Sequence, residues 1–469
     1  MELARAEQAL HRACTLKHPF IRRDKQNALL DAADRAQHAA DMHDPRELYN
    51  IVRRLAGTSS KALATLTHED GSVLDASQAV MARWRRHFTN LFRAGHASQI
   101  EDVTCLPAGA KPDPRPAAEP AGCAGNEARN LIEGLEIFVV IQSLDGSSGV
   151  GEDALSALIV KTRGWHAAEI MSKIIHDIIY VRHVPLVWRG GKLVVIYKGK
   201  GMATDPDNYR GILVSDHLAK ILTSLLQAHL NATYEKAVGV SQYGAVKHRG
   251  TAMASLVVRS FLDLCSARSW SCFVLFVDLS KAFDYAIREV VMGWMPDASS
   301  ASLEEKRALL EKLGVPERAS HHLAEWIDKT GGLLALSGAD PAVCELVTSL
   351  HHGAWFRLPR DEPYVVSVSG ARQGCKLGAL VFNMIYSLAL LMLKQELLDL
   401  GIILWVTNAP SSAFWGTQTT TTSCAADERL SPVFEVTYVD DECIFLAASS
   451  ARAMMLAIPK LMSCLCTAF

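Results

Sequence analysis

From about residue 131 onward, short apolar runs alternate with longer stretches of helical periodicity. KLVVIYK (192–198) has the length and composition of a strand. DHLAKILTSLLQAHL (216–230) repeats apolar residues at helical spacing, with Asp216 placed to cap the helix. CFVLFVDLS (272–280) is a continuous apolar run ending in an acid, the pattern of a buried strand that delivers a carboxylate at its end. KAFDYAIREVVMGWM (281–295) predicts a helix with Ser280 as its N-cap. YVVSVSG (364–370) predicts a strand. LGALVFNMIYSLALLMLK (377–394) only just reaches a membrane-spanning length and contains Asn383 and Ser387, so a buried helix is expected and no membrane partner. In FEVTYVDDECIF (434–445), strand-forming residues flank Asp440 and Asp441, which predicts a β-hairpin whose tight turn carries both acids.

The first hundred residues are mixed in charge and read as helical. LYNIVRRLAG and AVMARWRRHFTNLF are the clearest segments. In the second, Val80, Trp84, Phe88 and Leu91 fall on one face. HEDGSVLD between them carries a turn signal at Asp70-Gly71. Residues 101–130 are rich in Pro, Ala and Gly and read as a flexible linker. The expected organisation is a helical region (1–100), this linker, and a catalytic region over 131–469. Residues 296–350 read as helical without recognisable chemistry. Residues 407–432 read as a long loop, although four consecutive threonines would also suit a strand.

Composition narrows the setting. The chain has 469 residues, 49% of them hydrophobic, enough for a large core. The formal charge is −2, yet residues 181–260 carry eleven Lys and Arg against four acids. A basic segment within an otherwise acidic chain suits a separate phosphate-binding part, and a solvated basic surface accounts for it equally well. The eleven cysteines form no CxxC pair and no zinc spacing. Reduced thiols and a charged N-terminus without a signal peptide place the chain in the nucleus or cytoplasm.

Adjacent acids need an explanation. Two carboxylates about 4 Å apart repel by roughly 4 kcal/mol at an effective dielectric near 20. Keeping both ionised requires a cation. Asp278, at the end of its strand, is placed to reach the same sheet edge. Three acids there make a hard, oxygen-donor site suited to Mg²⁺.

The sequence resembles the reverse transcriptase domain of non-LTR (LINE-like) retrotransposons. YVDD (438–441) is similar to that family's hairpin motif, and FVDLSKAFD (276–284) to its first metal-binding motif. GARQGCKLGALVFN (370–383) resembles its nucleotide-contact motif, and YKGKGMATDPDNYRGILVSDHLAKIL (197–222) its fingers motif. QYGAVKHRGTAMA (242–254) resembles the block that follows the fingers motif. The five occur in the family's order. The resemblance implies an α+β right-hand polymerase, with fingers and an antiparallel palm sheet behind the helical N-terminal region. It implies an RNA-directed DNA polymerase, a nucleotidyltransferase that adds dNTPs to a DNA primer on an RNA template. Asp278, Asp440 and Asp441 would be catalytic and, with the backbone carbonyl of Leu279, would hold two Mg²⁺ ions, with Mn²⁺ able to substitute. Lys198, Arg210, Phe283, Gln373 and Gly374 would contact the nucleotide. Phe283 would exclude a 2′-hydroxyl by its ring, and Arg249 would touch template backbone. Asp284 would be structural, a first-turn acid on the helix that follows Asp278.

Several positions depart from the pattern. Gly211 stands for the usual Pro after Arg210, Lys376 and Gly378 for Pro and Ser after Gln373, and Val439 for Ala. No thumb follows the hairpin and no endonuclease precedes the polymerase motifs, so a fragment of a longer element protein is expected. Two other readings are an inactive remnant that binds nucleic acid without polymerising, and another palm polymerase, such as an intron maturase or an RNA-dependent RNA polymerase.

Overall fold

The computed structural model describes residues 29–42, 77–93, 132–358, 364–402, 404–407 and 430–468, with isolated positions before residue 77. The 101–130 linker, the Asp70-Gly71 turn and most of the LYNIVRRLAG segment lie outside the described residues. The chain divides into two compact units, Met1–Thr67 and His68–Phe469. In the first, residues 29–41 are helical, and Ala32 and Ala39, seven apart, share its buried face.

The second unit is a mixed α+β assembly. Its chain begins with α1 (Ser77–Leu91), followed by α2 (Gly134–Ser143), Ala157–Thr162 and α3 (Gly164–Val181). Strands β1 (Gly191–Tyr197) and β2 (Tyr209–Val214) lead to α4 (His217–Val238), α5 (Thr251–Ala267) and β3 (Ser271–Asp278). Several helices fill 288–351 and end in α6 (Pro341–His351). Then come β4 (Trp355–Arg357), β5 (Val365–Val366), α7 (Gly378–Asp399), β6 (Leu404–Thr407), β7 (Leu430–Val433), β8 (Glu435–Tyr438), β9 (Asp441–Ala448) and α8 (Ala451–Ala468).

Two sheets organise this unit. One is four-stranded in the order β2-β1-β4-β5, with β1 and β4 parallel and the other pairs antiparallel. The apolar stripe of α1 covers it. Val80, Trp84, Phe88 and Leu91 are all buried, as their spacing predicts. Trp84 meets Tyr209 edge-on at 4.8 Å, and Phe92 meets Phe356 at 5.4 Å. The other sheet is antiparallel, in the order β3-β9-β8. Strand alternation splits its residues between two cores. Phe273, Leu275, Val277, Ile444 and Leu446 join the main core with α7 and α8. Val274, Val436, Cys443 and Phe445 join Phe261 and Cys265 of α5 on the opposite face.

Several expectations change. The strand ending in Asp278 is an edge strand rather than a buried one, and Cys272, Phe276 and Asp278 alternate as exposed residues. The segment 281–295 is not one helix. Lys281 takes a positive φ of 56°, residues 280–285 turn, and only Arg288–Met292 is helical. Asp284 therefore sits in a turn, without a helix dipole. Asp216 holds the N-cap position of α4, but its carboxylate accepts from the Asp153 N–H across the chain. The strand expected over 364–370 is two residues long. The ends of the expected 407–432 loop pair as β6 and β7, and residues 408–429 lie outside the described residues. α7 is long and apolar enough to cross a membrane by length and composition only, and its Leu380, Phe382, Tyr386 and Leu393 are buried in the main core.

Candidate active site

The register of the antiparallel sheet brings the acids together. Asp278 is the last residue of β3 and pairs with Asp441, the first residue of β9. Opposed residues on antiparallel strands share a face, with Cβ atoms about 4.5–5.5 Å apart. The hairpin turn is one residue earlier than the sequence suggests. Tyr438 pairs with Asp441, so Val439 and Asp440 form the turn and Asp441 already belongs to the strand. This shift puts Asp441 in line with Asp278.

Electrostatics tie Asp440 to both. Burial holds its carboxyl above the usual range, the negative charges of Asp441 and Asp278 add to this, and the Arg210 guanidinium opposes it. Asp278 and Asp441 are exposed and Asp440 is half-buried. Among the described residues, no group of three or more His, Cys, Asp or Glu side chains is gathered closely enough to hold a metal ion. The acids share one sheet end without closing into a finished cage. Their chemistry still suits a hard divalent cation, because three carboxylates and one facing arginine leave an excess of negative charge.

The cations lie on the β1–β2 side. Arg210 is exposed on β2, opposite Ile196 of β1. Lys198 donates to the Asp207 carbonyl at 2.7 Å, and Lys281 pairs with the Asp207 carboxylate at 2.8 Å. Asp284 faces the same group. Burial pushes its carboxyl up to about 6, against the pull of Lys198, Lys281 and Arg210. Sequence reasoning gave Asp284 a helix-end role, and its nearness to these cations was not legible there.

The remaining candidates surround this edge. Leu279 follows β3, with its side chain packed against the main core. The ring of Phe283 stacks on Phe382 at 4.8 Å, and Phe382 stacks on Tyr386 at 5.5 Å. The Phe283 carbonyl accepts from Ala371 N–H at 2.7 Å, which brings the 370–374 loop against it. Gln373 is half-buried, and its carbonyl accepts from Leu213 N–H at 2.8 Å. Gly374 has φ +105°, and a Cβ there would lie 2.4 Å from the Leu213 carbonyl. Glycine at 374 is thus required by the approach of β2. Arg249 lies behind the hairpin turn, its Nη1 donating to the carbonyls of Gly239, Val240 and Gln242. A surface pocket of about 560 Å³ around Trp165 contains none of these residues.

Behind the hairpin lies a polar layer that the sequence did not signal. Glu442 is 2% exposed and accepts from the Tyr386 hydroxyl. Glu435 accepts from the Ser241 hydroxyl at 2.7 Å. Burial raises both carboxyls.

No family model matches the chain. A stretch of 152 residues is 25% identical to the RNA-directed DNA polymerase from mobile element jockey of Drosophila melanogaster. That stretch is 32% of this chain and 16% of the relative's length. The match supports a reverse transcriptase-like relationship.

Proposed function

We propose that the chain is an RNA-directed DNA polymerase of a retroelement, joining dNTPs to a DNA primer on an RNA template. The observation that supports this reading most is the register opposing Asp278 to Asp441, with Asp440 at the adjoining turn and Arg210 facing it. The three-stranded sheet would be the palm and the β1–β2 sheet the fingers.

In this reading Asp278, Asp440, Asp441 and the Leu279 carbonyl would hold two Mg²⁺ ions. When bound, the metals neutralise charge on the entering and leaving oxygens of an in-line displacement. Mg²⁺ typically takes only one or two carboxylates and completes its shell with water and substrate phosphates, which suits an edge that is not a closed cage. Arg210 and Lys198 bind the triphosphate, Arg210 by its planar fork and Lys198 as a point charge. Gln373 and Gly374 lie along the nucleotide, and the guanidinium of Arg249 meets template backbone. The primer 3′-hydroxyl attacks the α-phosphorus and passes its proton to solvent water. The bond to the bridging oxygen breaks, and pyrophosphate leaves. Rate comes from alignment and charge stabilisation.

Phe283 forms a wall at the sugar, held rigid by its stack on Phe382. Phe283→Val is expected to raise ribonucleotide use relative to deoxynucleotide use about 10–100-fold, the scale of discrimination by one steric contact. Competition between rNTP and dNTP measures it. An unchanged ratio would assign Phe283 to packing alone.

A second reading is a nucleic-acid-binding chain that does not polymerise. The lack of a gathered metal group among the described residues favours it. Incorporation of dNTPs by the purified chain on a primed RNA template, with and without Mg²⁺, separates the two. Binding without incorporation in either Mg²⁺ or Mn²⁺ supports the second reading. Preference for ribonucleotides points instead to an RNA-dependent RNA polymerase.

A further inference from the structure

The turn carrying Asp440 is gripped from behind by Gln242, a residue to which the proposed chemistry gives no role. Gln242 is 2% exposed, and its amide faces backbone. Its Oε1 accepts from Val439 N–H at 3.0 Å and from Gly244 N–H at 2.8 Å. Its Nε2 reaches the Val439 carbonyl at 3.5 Å. One side-chain amide thus meets both polar groups of the residue immediately before Asp440. A planar group with acceptor and donor at adjacent ends is what this requires, and Gln supplies it.

The residue being held needs holding. Val439 is β-branched and has φ +62°. Such a backbone is strained for a branched side chain and persists only where its surroundings fix it. The strand pairing continues on each side of the amide: Thr437 N–H donates to the Ser241 carbonyl at 2.9 Å, and Tyr243 N–H to the Thr437 carbonyl at 2.8 Å. Gly244 closes the contact, since a Cβ there would lie 2.4 Å from the Val439 nitrogen. The Gly244 carbonyl in turn accepts from Asn383 Nδ2 at 3.0 Å, and Asn383 is fully buried on α7. Two separate motifs, QYG and YVDD, meet at Val439, and the Asn383 of a third backs them through the Gly244 carbonyl.

We propose that Gln242 is a positioning residue for the Asp440–Asp441 turn. Backed by Asn383 through Gly244, its amide fixes the Val439 peptide and so the placement of the two acids. The proposal rests on the polymerase reading for its purpose, while the clamp itself is a property of the hairpin. Removing a partner that orients metal-binding carboxylates typically costs about 10–100-fold in metal affinity or activity.

The test uses the full chain with Gln242→Met, which keeps length and loses both hydrogen-bonding functions, and Gln242→Glu, which keeps the acceptor. Amide exchange at Val439 is read in the metal-free protein, Mn²⁺ binding separately, and primer extension last. Gln242→Met is expected to speed Val439 exchange about tenfold or more, weaken Mn²⁺ binding about 10–100-fold, and lower kcat on the same scale. KM for dNTP and affinity for primer-template are expected to hold. Gln242→Glu is expected to restore Val439 protection. Unchanged Val439 exchange and Mn²⁺ binding in Gln242→Met would overturn the proposal. So would a kcat loss that follows the unfolded fraction measured by thermal melting. A wild-type chain that binds Mn²⁺ but extends no primer would end the polymerase reading, and the exchange and Mn²⁺ measurements would still decide the clamp.

Discussion

Asp440→Asn is expected to lower primer extension by at least about 10²–10³-fold, the range for removing one preorganised electrostatic group, and to leave the fold intact. Asparagine keeps the shape of the turn residue and removes only the charge. That charge is unfavourable in the metal-free protein. Burial and the neighbouring Asp441 and Asp278 raise the Asp440 pKa, with Arg210 giving partial relief. For an acid with a raised folded pKa, the stability it contributes is full below its unfolded pKa and is lost as pH rises through the folded pKa. At neutral pH the ionised group therefore disfavours folding, and the variant should melt no lower than wild type in chelator. Added Mg²⁺ should reverse that order, because a cation bound only by the folded state stabilises it by mass action. Thermal melts with and without Mg²⁺ test the stability claim, and extension assays test the rate. Retained extension would remove Asp440 from the mechanism. A lower melting temperature in chelator would make it a structural turn residue.

The elements around the site were legible because local pattern determines them. Val80, Trp84, Phe88 and Leu91 lie on one helical face, and that face is buried. The apolar runs ending at Asp278 and beginning after Asp441 are strands. What the pattern could not supply was pairing. The opposition of Asp278 to Asp441 depends on register between segments more than 160 residues apart. The turn falls at Val439–Asp440 because Val439 adopts a positive φ, which a β-branched residue does not advertise. The helix expected over 281–295 fails for a similar reason. Its periodicity is sound, but tertiary contacts hold Lys281 at positive φ and bind the Phe283 and Ala286 carbonyls to the 370–371 backbone. The burial of Gln242 and Glu442 gave no signal, since a polar residue's burial shows only when its partner from elsewhere in the chain is in place.

Arg288→Met is expected to cost about 1–3 kcal/mol of stability or more, the scale for leaving buried acceptors without their donor. Arg288 is 2% exposed and makes five hydrogen bonds. Its Nε donates to the Gly370 carbonyl at 2.7 Å, and its Nη1 to the carbonyls of Ser367 at 2.9 Å and His351 at 3.2 Å. Its Nη2 donates to the Ser367 hydroxyl at 2.8 Å and the Ser369 carbonyl at 2.9 Å. Burial and the nearby Arg372 lower its pKa to about 10, so the group stays charged at neutral pH. Methionine matches the length of the stem and donates nothing, leaving buried acceptors without partners at about 1–3 kcal/mol each before relaxation. Lysine should recover only part, because one ammonium cannot reproduce the planar fork. Four of these bonds brace residues 367–370, which lead directly into Gln373 and Gly374 beside β2, and the fifth ties them to the end of α6 at His351. The loss should therefore appear locally before it appears globally, as faster amide exchange across 369–375 in denaturant too dilute to unfold the chain. Urea titration gives the total. A loss below about 1 kcal/mol with unchanged exchange in the loop would show that the 367–370 segment is held by its backbone contacts alone, and that Arg288 is not what sets the nucleotide-side loop in place.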